Sequence, residues 1–396
     1  MKRLKGTGMI VTVQGTSLFK VVLAFIFFLI AVFTFSGLMT SLKPEYRIAS
    51  NSINQAANNI NGEILYKLMG WENHQFLQTL PEQADSLNLS NLVFKLSTNI
   101  SLDDPRSFLG RELPGFDLFD GKILVAGEGT NYTNMPMESA PPIEVLQREQ
   151  EAALQNTEEL EGEGKNKDTP APPKSTGDRK VVYVYFSHNR ESYLPYLEGV
   201  TNPDLAYHSQ VNVTKIGDRL KETLADKGIG THVDKTDVMG QLNQKGLGFG
   251  HAYQESRSVV QTAMAGNRDL QYIIDIHRDA RRKKDTTVTI DGKSYAKLAF
   301  VIGGKNQNYE KNLKLANQIH ERLEKDYKGL SRGIIENKGP GQNGVYNQDL
   351  SGNAILIEFG GVDNTFEELY RSADALADVF SEVYWQAEEV NAEPAN

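Results

Sequence analysis

No cysteine occurs anywhere in the 396 residues. That absence excludes disulfides, thiolate metal ligands and a cysteine nucleophile, and leaves histidine and carboxylates as the side chains able to hold a metal. It fits an exported bacterial protein. Basic residues are outnumbered, 42 Lys and Arg against 51 Asp and Glu, for a formal net charge of −9. That balance argues against a nucleic-acid partner, and no polybasic patch for a lipid surface lies beyond the N-terminal flank. No repeat of about 20–50 residues is present, so a solenoid is not expected. The glycine-rich stretch Gly246-Leu247-Gly248-Phe249-Gly250 lacks a Gly-Lys-Ser/Thr ending and is no P-loop. Charge is absent altogether from residues 21–42.

As a helix, residues 21–42 reach ~33 Å, enough to cross a hydrocarbon core of roughly 30 Å. Lys2, Arg3, Lys5 and Lys20 precede the run without an acidic residue, which places 1–20 in the cytoplasm and everything beyond 42 outside. The run exceeds a signal-peptide core of about 7–15 residues and no clear Ala-x-Ala site follows, so an uncleaved anchor in the bilayer is expected. Residues 43–145 form an extracytoplasmic accessory region. It has a helical pattern over 53–80 and a turn-rich segment from Leu113-Pro114-Gly115-Phe116 through Gly127-Glu128-Gly129-Thr130, to which composition assigns no chemistry. Residues 146–179 are polar, with Glu158-Glu159-Leu160-Glu161-Gly162-Glu163 and then Pro170-Ala171-Pro172-Pro173. They read as a disordered acidic linker that gives a tethered domain reach above the membrane.

From 180 to 390 short apolar runs alternate with amphipathic helices, the pattern of an α/β domain with a mostly parallel sheet and helices on both faces. Strands are expected at 181–186, 229–233, 272–276, 298–302 and 354–359. Val213, Ile216, Leu220 and Leu224 share one helix face, and Leu313, Ala316, Ile319 and Leu323 another. A last helix carries Phe366, Leu369, Ala373, Leu376 and Phe380, with Thr365 and Glu368 spaced as a capping box.

Three motifs leave the ends of these strands: Ser187-His188-Asn189-Arg190-Glu191, Asp275-Ile276-His277-Arg278-Asp279 and Ile357-Glu358-Phe359-Gly360-Gly361. Ligands gather beyond the carboxyl ends of such strands, so residues distant in sequence can converge there. His188 and Glu191, spaced H-x-x-E, and His277 then make a three-ligand zinc set with the fourth position open, as catalytic zinc requires. Zinc would make water a nucleophile near neutral pH and polarise a carbonyl, allowing amide hydrolysis without a protein nucleophile. Glu358 suits the general base, and the glycines after it suggest close approach of a substrate to the backbone. Arg278 is a candidate for oxyanion stabilisation or for binding a substrate carboxylate. Asp275 or Asp279 is a candidate to orient an imidazole. Taken alone, H-x-x-E is a weak motif, a strand-end Glu is commonly a solvated edge or cap residue, and Ile-His-Arg-Asp suits a structural ion-pair cluster. His251 and Glu255, beside the glycine stretch at the rim of the expected cleft, are reserve ligands.

The same residues resemble the bacterial stage II sporulation protein P family. The likeness covers the single N-terminal span, the acidic Pro-containing linker, the tyrosine-rich strand running into His188-Asn189-Arg190-Glu191-Ser192-Tyr193, and the two later motifs. It extends to Glu112-Leu113-Pro114-Gly115-Phe116 and Gly127-Glu128-Gly129-Thr130-Asn131-Tyr132. The resemblance implies a zinc-dependent N-acetylmuramoyl-L-alanine amidase that also cleaves peptide cross-links of peptidoglycan. It implies action in the septal or engulfing membrane of a sporulating cell, beside stage II sporulation proteins D and M. It implies His188 and His277 as zinc ligands and Glu358 as the catalytic carboxylate. Glu191 is the choice for the third ligand, with Glu198 and Glu255 as alternatives. The competing readings are a wall metallopeptidase and a non-catalytic wall-binding protein.

Overall fold

The computed structural model of the chain describes residues 27–28, 121–139, 141, 154–156, 172–339 and 342–392. The chain divides into two units, Met1–Phe108 and Leu109–Asn396. In the first, Phe27 and Phe28 are helical and exposed. The remainder of the expected anchor at 21–42 and the expected helix at 53–80 lie outside the described residues. No helix among the described residues is long and apolar enough to cross a membrane.

In the second unit the described elements run β1 (Lys122–Ala126), β2 (Val182–Tyr185), α1 (Thr214–Asp226), β3 (Thr231–Val233), α2 (Val238–Gln244), α3 (Ala252–Gly266) and β4 (Tyr272–Asp279). A single helical turn, Lys283–Thr286, leads into β5 (Thr287–Ile290), β6 (Lys293–Ala296) and β7 (Leu298–Gly303). Then come α4 (Tyr309–Asp326), β8 (Ser331–Asn337), β9 (Ala354–Gly361) and α5 (Phe366–Ala392).

Alternation at period two decides which side of the sheet each residue faces. Val182, Val184, Ile274, Ile276, Ile355 and Ile357 pack into the main core with Ile216, Leu220 and Leu224 of α1, Ala316, Ile319 and Leu323 of α4, and Phe366, Leu369 and Phe380 of α5. Tyr183, Tyr185, Ile273 and Ala354 face the other way, against Val260 of α3. Helices thus cover both faces. His277 and Glu358 fall on the α3 face by the same alternation.

The seven-stranded sheet has the order β1-β8-β7-β9-β4-β2-β3. Strands β3, β2, β4 and β9 are mutually parallel, as expected. Four of the six pairings are parallel, so the sheet is mostly parallel as expected, and the two antiparallel pairings lie beyond β9. β7 is antiparallel to β9, β8 is parallel to β7, and β1 is antiparallel to β8. A parallel return needs a crossover of a dozen or more residues, usually helical. Between β4 and β7 the chain makes only the helical turn and the β5–β6 hairpin, so it re-enters the sheet in the opposite direction.

Two expected boundaries also move. β1 belongs to the sheet, although its residues fall within the accessory region expected to end at 145. Within the expected linker, Leu154 bridges Leu197, Asn156 Nδ2 donates to the Pro195 carbonyl at 2.9 Å, and Thr176 N donates to the Gly228 carbonyl at 2.8 Å. Residues 154–156 and 172–179 therefore lie on the domain surface rather than in free chain.

The capping box forms as read. Thr365 N donates to Glu368 Oε2 at 3.1 Å, and Glu368 N donates to Thr365 Oγ1 at 3.4 Å. Glu368 also accepts from Asn364 Nδ2 at 2.8 Å and Ser294 Oγ at 2.7 Å, and pairs with Lys283 at 2.8 Å. Burial alone would raise its pKa, but these donors outweigh burial and hold it below the usual carboxylate range. A depressed folded pKa contributes stability that is fully present above the unfolded value of about 4.3 and lost as pH falls through the folded one. Thr365→Ala is expected to cost about 1 kcal/mol in denaturant unfolding. Glu368→Gln is expected to flatten the stability profile below about pH 4.3.

Candidate metal and catalytic site

The parallel register of β4 and β9 sets His277 directly beside Glu358, with both side chains on one face. β2 lies on the other side of β4, Tyr185 opposite Asp275, so the chain leaving β2 delivers Ser187 and His188 to the same end. Ser187 fixes that exit: its N–H donates to Asp275 Oδ1 at 2.9 Å and its hydroxyl to Oδ2 at 2.8 Å. The turn after it brings Glu191 back, with Glu191 N donating to the His188 carbonyl at 3.1 Å.

Four sequence-predicted residues therefore converge, all buried. Glu191 lies between the histidines, its Oε1 3.6 Å from His188 Nδ1 and its Oε2 3.6 Å from His277 Nδ1. The imidazole rings meet edge to face at 4.7 Å. Asp275 orients His277: its carboxylate lies 3.2 Å from Nε2, which also meets Ser187 Oγ at 2.8 Å, so Nδ1 is the nitrogen turned to Glu191. An imidazole positioned by a carboxylate on its far nitrogen is the usual support of a metal-ligating histidine. Asp275→Asn is accordingly expected to weaken metal affinity about 10–100-fold, measured by competition with a chromophoric chelator.

Eight buried side-chain nitrogen or oxygen atoms among the described residues have no hydrogen-bond partner. Five are here: both nitrogens of His188, Nδ1 of His277, Oε1 of Glu191 and Oε2 of Glu358. Each such group costs about 1–3 kcal/mol when left unpaired. Clustered imidazole and carboxylate lone pairs without donors are what a divalent cation takes, and the histidine and oxygen donors suit zinc.

The cluster is set among anionic groups. Burial opposes charge on His277, yet Asp275, Glu191 and Glu358 around it push its pKa up to about 10. Burial would raise Glu191, but His188, His277 and Arg278 hold it below the usual carboxylate range. Glu358 moves the other way: burial raises it well above that range, His277 offsets this in part, and Glu191, Asp279 and Glu138 add to it. The environments of the two glutamates thus push them in opposite directions.

The remaining candidates fall elsewhere. Arg278 is fully buried, its guanidinium donating to Ser139 Oγ at 3.0 Å and to the Ala206 carbonyl at 3.2 Å. Its backbone N–H holds Glu191 Oε2 at 2.9 Å. Asp279 does not touch the imidazoles. It pairs with Arg332 and accepts the N–H groups of Met137 and Arg281, each at 2.9 Å. Glu198 is exposed, Glu255 is paired with Lys245 at 2.5 Å, and His251 is exposed before α3. Gly360 and Gly361 serve the chain itself rather than a substrate. Gly360 has φ +60°, and a Cβ on Gly361 would stand 2.1 Å from the Arg281 carbonyl oxygen.

Two parts of the site were not read from sequence. Phe249, from the glycine stretch, lies tilted against His188 with ring centroids 3.9 Å apart, and Tyr253 of α3 lies 5.2 Å from His188 and 6.1 Å from His277. Glu138 joins the histidines: one ligand atom from each of Glu138, His188 and His277 lies within 4.8 Å of the others. Glu138 stands alone in a turn-rich segment, about 50 residues before His188, and carries no local pattern that marks it.

The chain has a mixed α/β fold with buried histidines and carboxylates gathered at the carboxyl ends of its parallel strands, an arrangement compatible with a metal site. The profile of the Stage II sporulation protein P (SpoIIP) family matches residues 103–381. Stage II sporulation protein P of Bacillus subtilis (strain 168) is 53% identical over 383 residues, covering 97% of this chain and 96% of its own. The chain belongs to the stage II sporulation protein P family. Among solved structures, the apo form of the N-acetylmuramyl-L-alanine amidase Ami1 from Mycobacterium abscessus matches 51% of this chain and 98% of its own, at 12% identity and a TM-score of 0.29.

Proposed function

We propose that this protein is a zinc-dependent peptidoglycan hydrolase that cleaves the amide between muramic acid and L-alanine, and peptide cross-links, during engulfment of the forespore. The observation that carries the reading is the convergence of five partnerless buried atoms from His188, His277, Glu191 and Glu358 at one strand end. His188, His277 and Glu191 would hold the ion. Bound there, zinc would polarise the scissile carbonyl and acidify a neighbouring water.

The protein's own groups do the rest. Glu358, in its ionised form, takes the proton of the attacking water at Oε2 and returns it to the leaving nitrogen. Asp275 and Ser187 keep the His277 ring in one orientation through Nε2. The Arg278 N–H keeps Glu191 in place. Phe249 and Tyr253 screen the histidines from water. Residues 21–42 anchor the enzyme in the membrane with its catalytic unit outside, and stage II sporulation proteins D and M are its partners there. Family membership supports the sporulation setting.

Mass spectrometry of purified peptidoglycan digested with the full chain, with and without a zinc chelator, tests the reading. Chelator-sensitive release of stem peptides beginning with L-alanine is expected. Muropeptides that are only un-cross-linked would replace the amidase with an endopeptidase, and unaltered peptidoglycan would remove the hydrolase.

A further inference from the structure

Residues 131–139 pass over the carboxyl end of β4, and their backbone is pinned along its length. Ala280 N donates to the Met137 carbonyl and Met137 N to Asp279 Oδ1, each at 2.9 Å. Arg281 Nε donates to the Met135 carbonyl at 2.9 Å, and Arg332 donates to the Asn134 carbonyl. Ser139 receives Arg278 on its hydroxyl and Tyr207 on its carbonyl, and the Met135 side chain is buried against Ala299 and Ile335. Between these fixed points Glu138 is exposed, yet its carboxylate reaches the two histidines, with Tyr253 OH donating to Oε1 at 2.6 Å.

With His188, His277 and Glu191 as ligands, a tetrahedral zinc would keep a fourth position open, and Glu138, with a ligand atom within 4.8 Å of ligand atoms on both histidines, would contend for it. We propose that Glu138 is an intramolecular ligand that occupies this open position in the resting enzyme and yields it to the carbonyl oxygen of the substrate. The proposal rests on the zinc reading given above. Glu191 and Glu138 differ in the way the two roles demand. Glu191 is fully buried, with one oxygen held by the Arg278 N–H. Glu138 is exposed and has Tyr253 as its hydrogen-bond partner, so rotation of its side chain frees the position while the backbone stays in place. A ligand carried on the same chain competes at an effective concentration of about millimolar or above, so a weakly held substrate carbonyl feels it in every encounter. Glu138 thereby restrains the site until a well-seated substrate displaces it.

The test compares the full-length protein with its Glu138→Gln and Glu138→Ala variants in three measurements. These are zinc affinity by chelator competition, the visible spectrum of the cobalt(II)-substituted protein, and azide binding to that cobalt. The expected result is one metal per chain in all three proteins, a cobalt spectrum altered in both variants, and azide bound about tenfold more tightly without the Glu138 carboxylate. A lower KM for peptidoglycan fragments is expected to accompany it. An unchanged spectrum with unchanged azide affinity would overturn the proposal while leaving the zinc site standing. Loss of metal and activity together in both variants would also overturn it, making Glu138 a permanent ligand. Failure of the unaltered protein to bind zinc or cobalt would overturn the zinc reading, and this inference with it.

Discussion

Glu358→Gln is expected to lower turnover about 10²–10⁴-fold while one zinc per chain is retained. Glutamine keeps the volume of the side chain and its place beside His277 on the paired strands, and removes the carboxylate to which the proton transfer is assigned in the proposed mechanism. His188→Ala and His277→Ala are expected to lose zinc and activity together, because each deletes a donor whose lone pairs have no protein partner. Metal analysis alongside hydrolysis assays separates the two outcomes. Equal loss of metal in all three variants would make Glu358 a ligand rather than a base. Glu191 is stabilised as an anion by the histidines, whereas burial and neighbouring carboxylates raise the pKa of Glu358.

The second large effect concerns stability. Arg332 and Asp279 form an ion pair whose side chains are 1% and 0% exposed. Removing one partner leaves the other charge buried and uncompensated, at a cost of about 3–5 kcal/mol. Arg332→Ala and Asp279→Ala are each expected to show that loss in denaturant unfolding. Asp279 costs more of the two, because its Oδ1 also receives the N–H groups of Met137 and Arg281. The pair belongs to the site as well as to the core. Asp279 holds Met137 and Arg332 holds Asn134, so either change should loosen the segment that carries Glu138.

The parallel half of the sheet was legible because β2, β4 and β9 are apolar runs that end in chemistry. His188, His277 and Glu358 follow from their place at the strand ends, and Glu191 from its spacing to His188. β8 was missed because Arg332, Gly333 and Glu336 interrupt its apolar pattern, and the first two have a tertiary reason. Arg332 is neutralised by Asp279, and Gly333, at φ +93°, lets the Val125 carbonyl of β1 approach to 2.0 Å from where a Cβ would stand. β1 was missed because a long polar stretch separates it from the other strands, and its pairing with β8 joins residues about 200 positions apart. Glu138 follows β1, so the error at that boundary hid a carboxylate of the site. The glycines after Glu358 misled for a different reason. Room for a close approach is needed there, and the Arg281 carbonyl and Asn364 fill it.

Diffraction from crystals of the protein at the zinc absorption edge tests the central claim most directly. One anomalous peak is expected among His188, His277 and Glu191, with Glu358 beside it and outside bonding distance. No peak at that place, or a peak with Glu358 bonded in place of Glu191, would contradict a zinc site worked by a glutamate base.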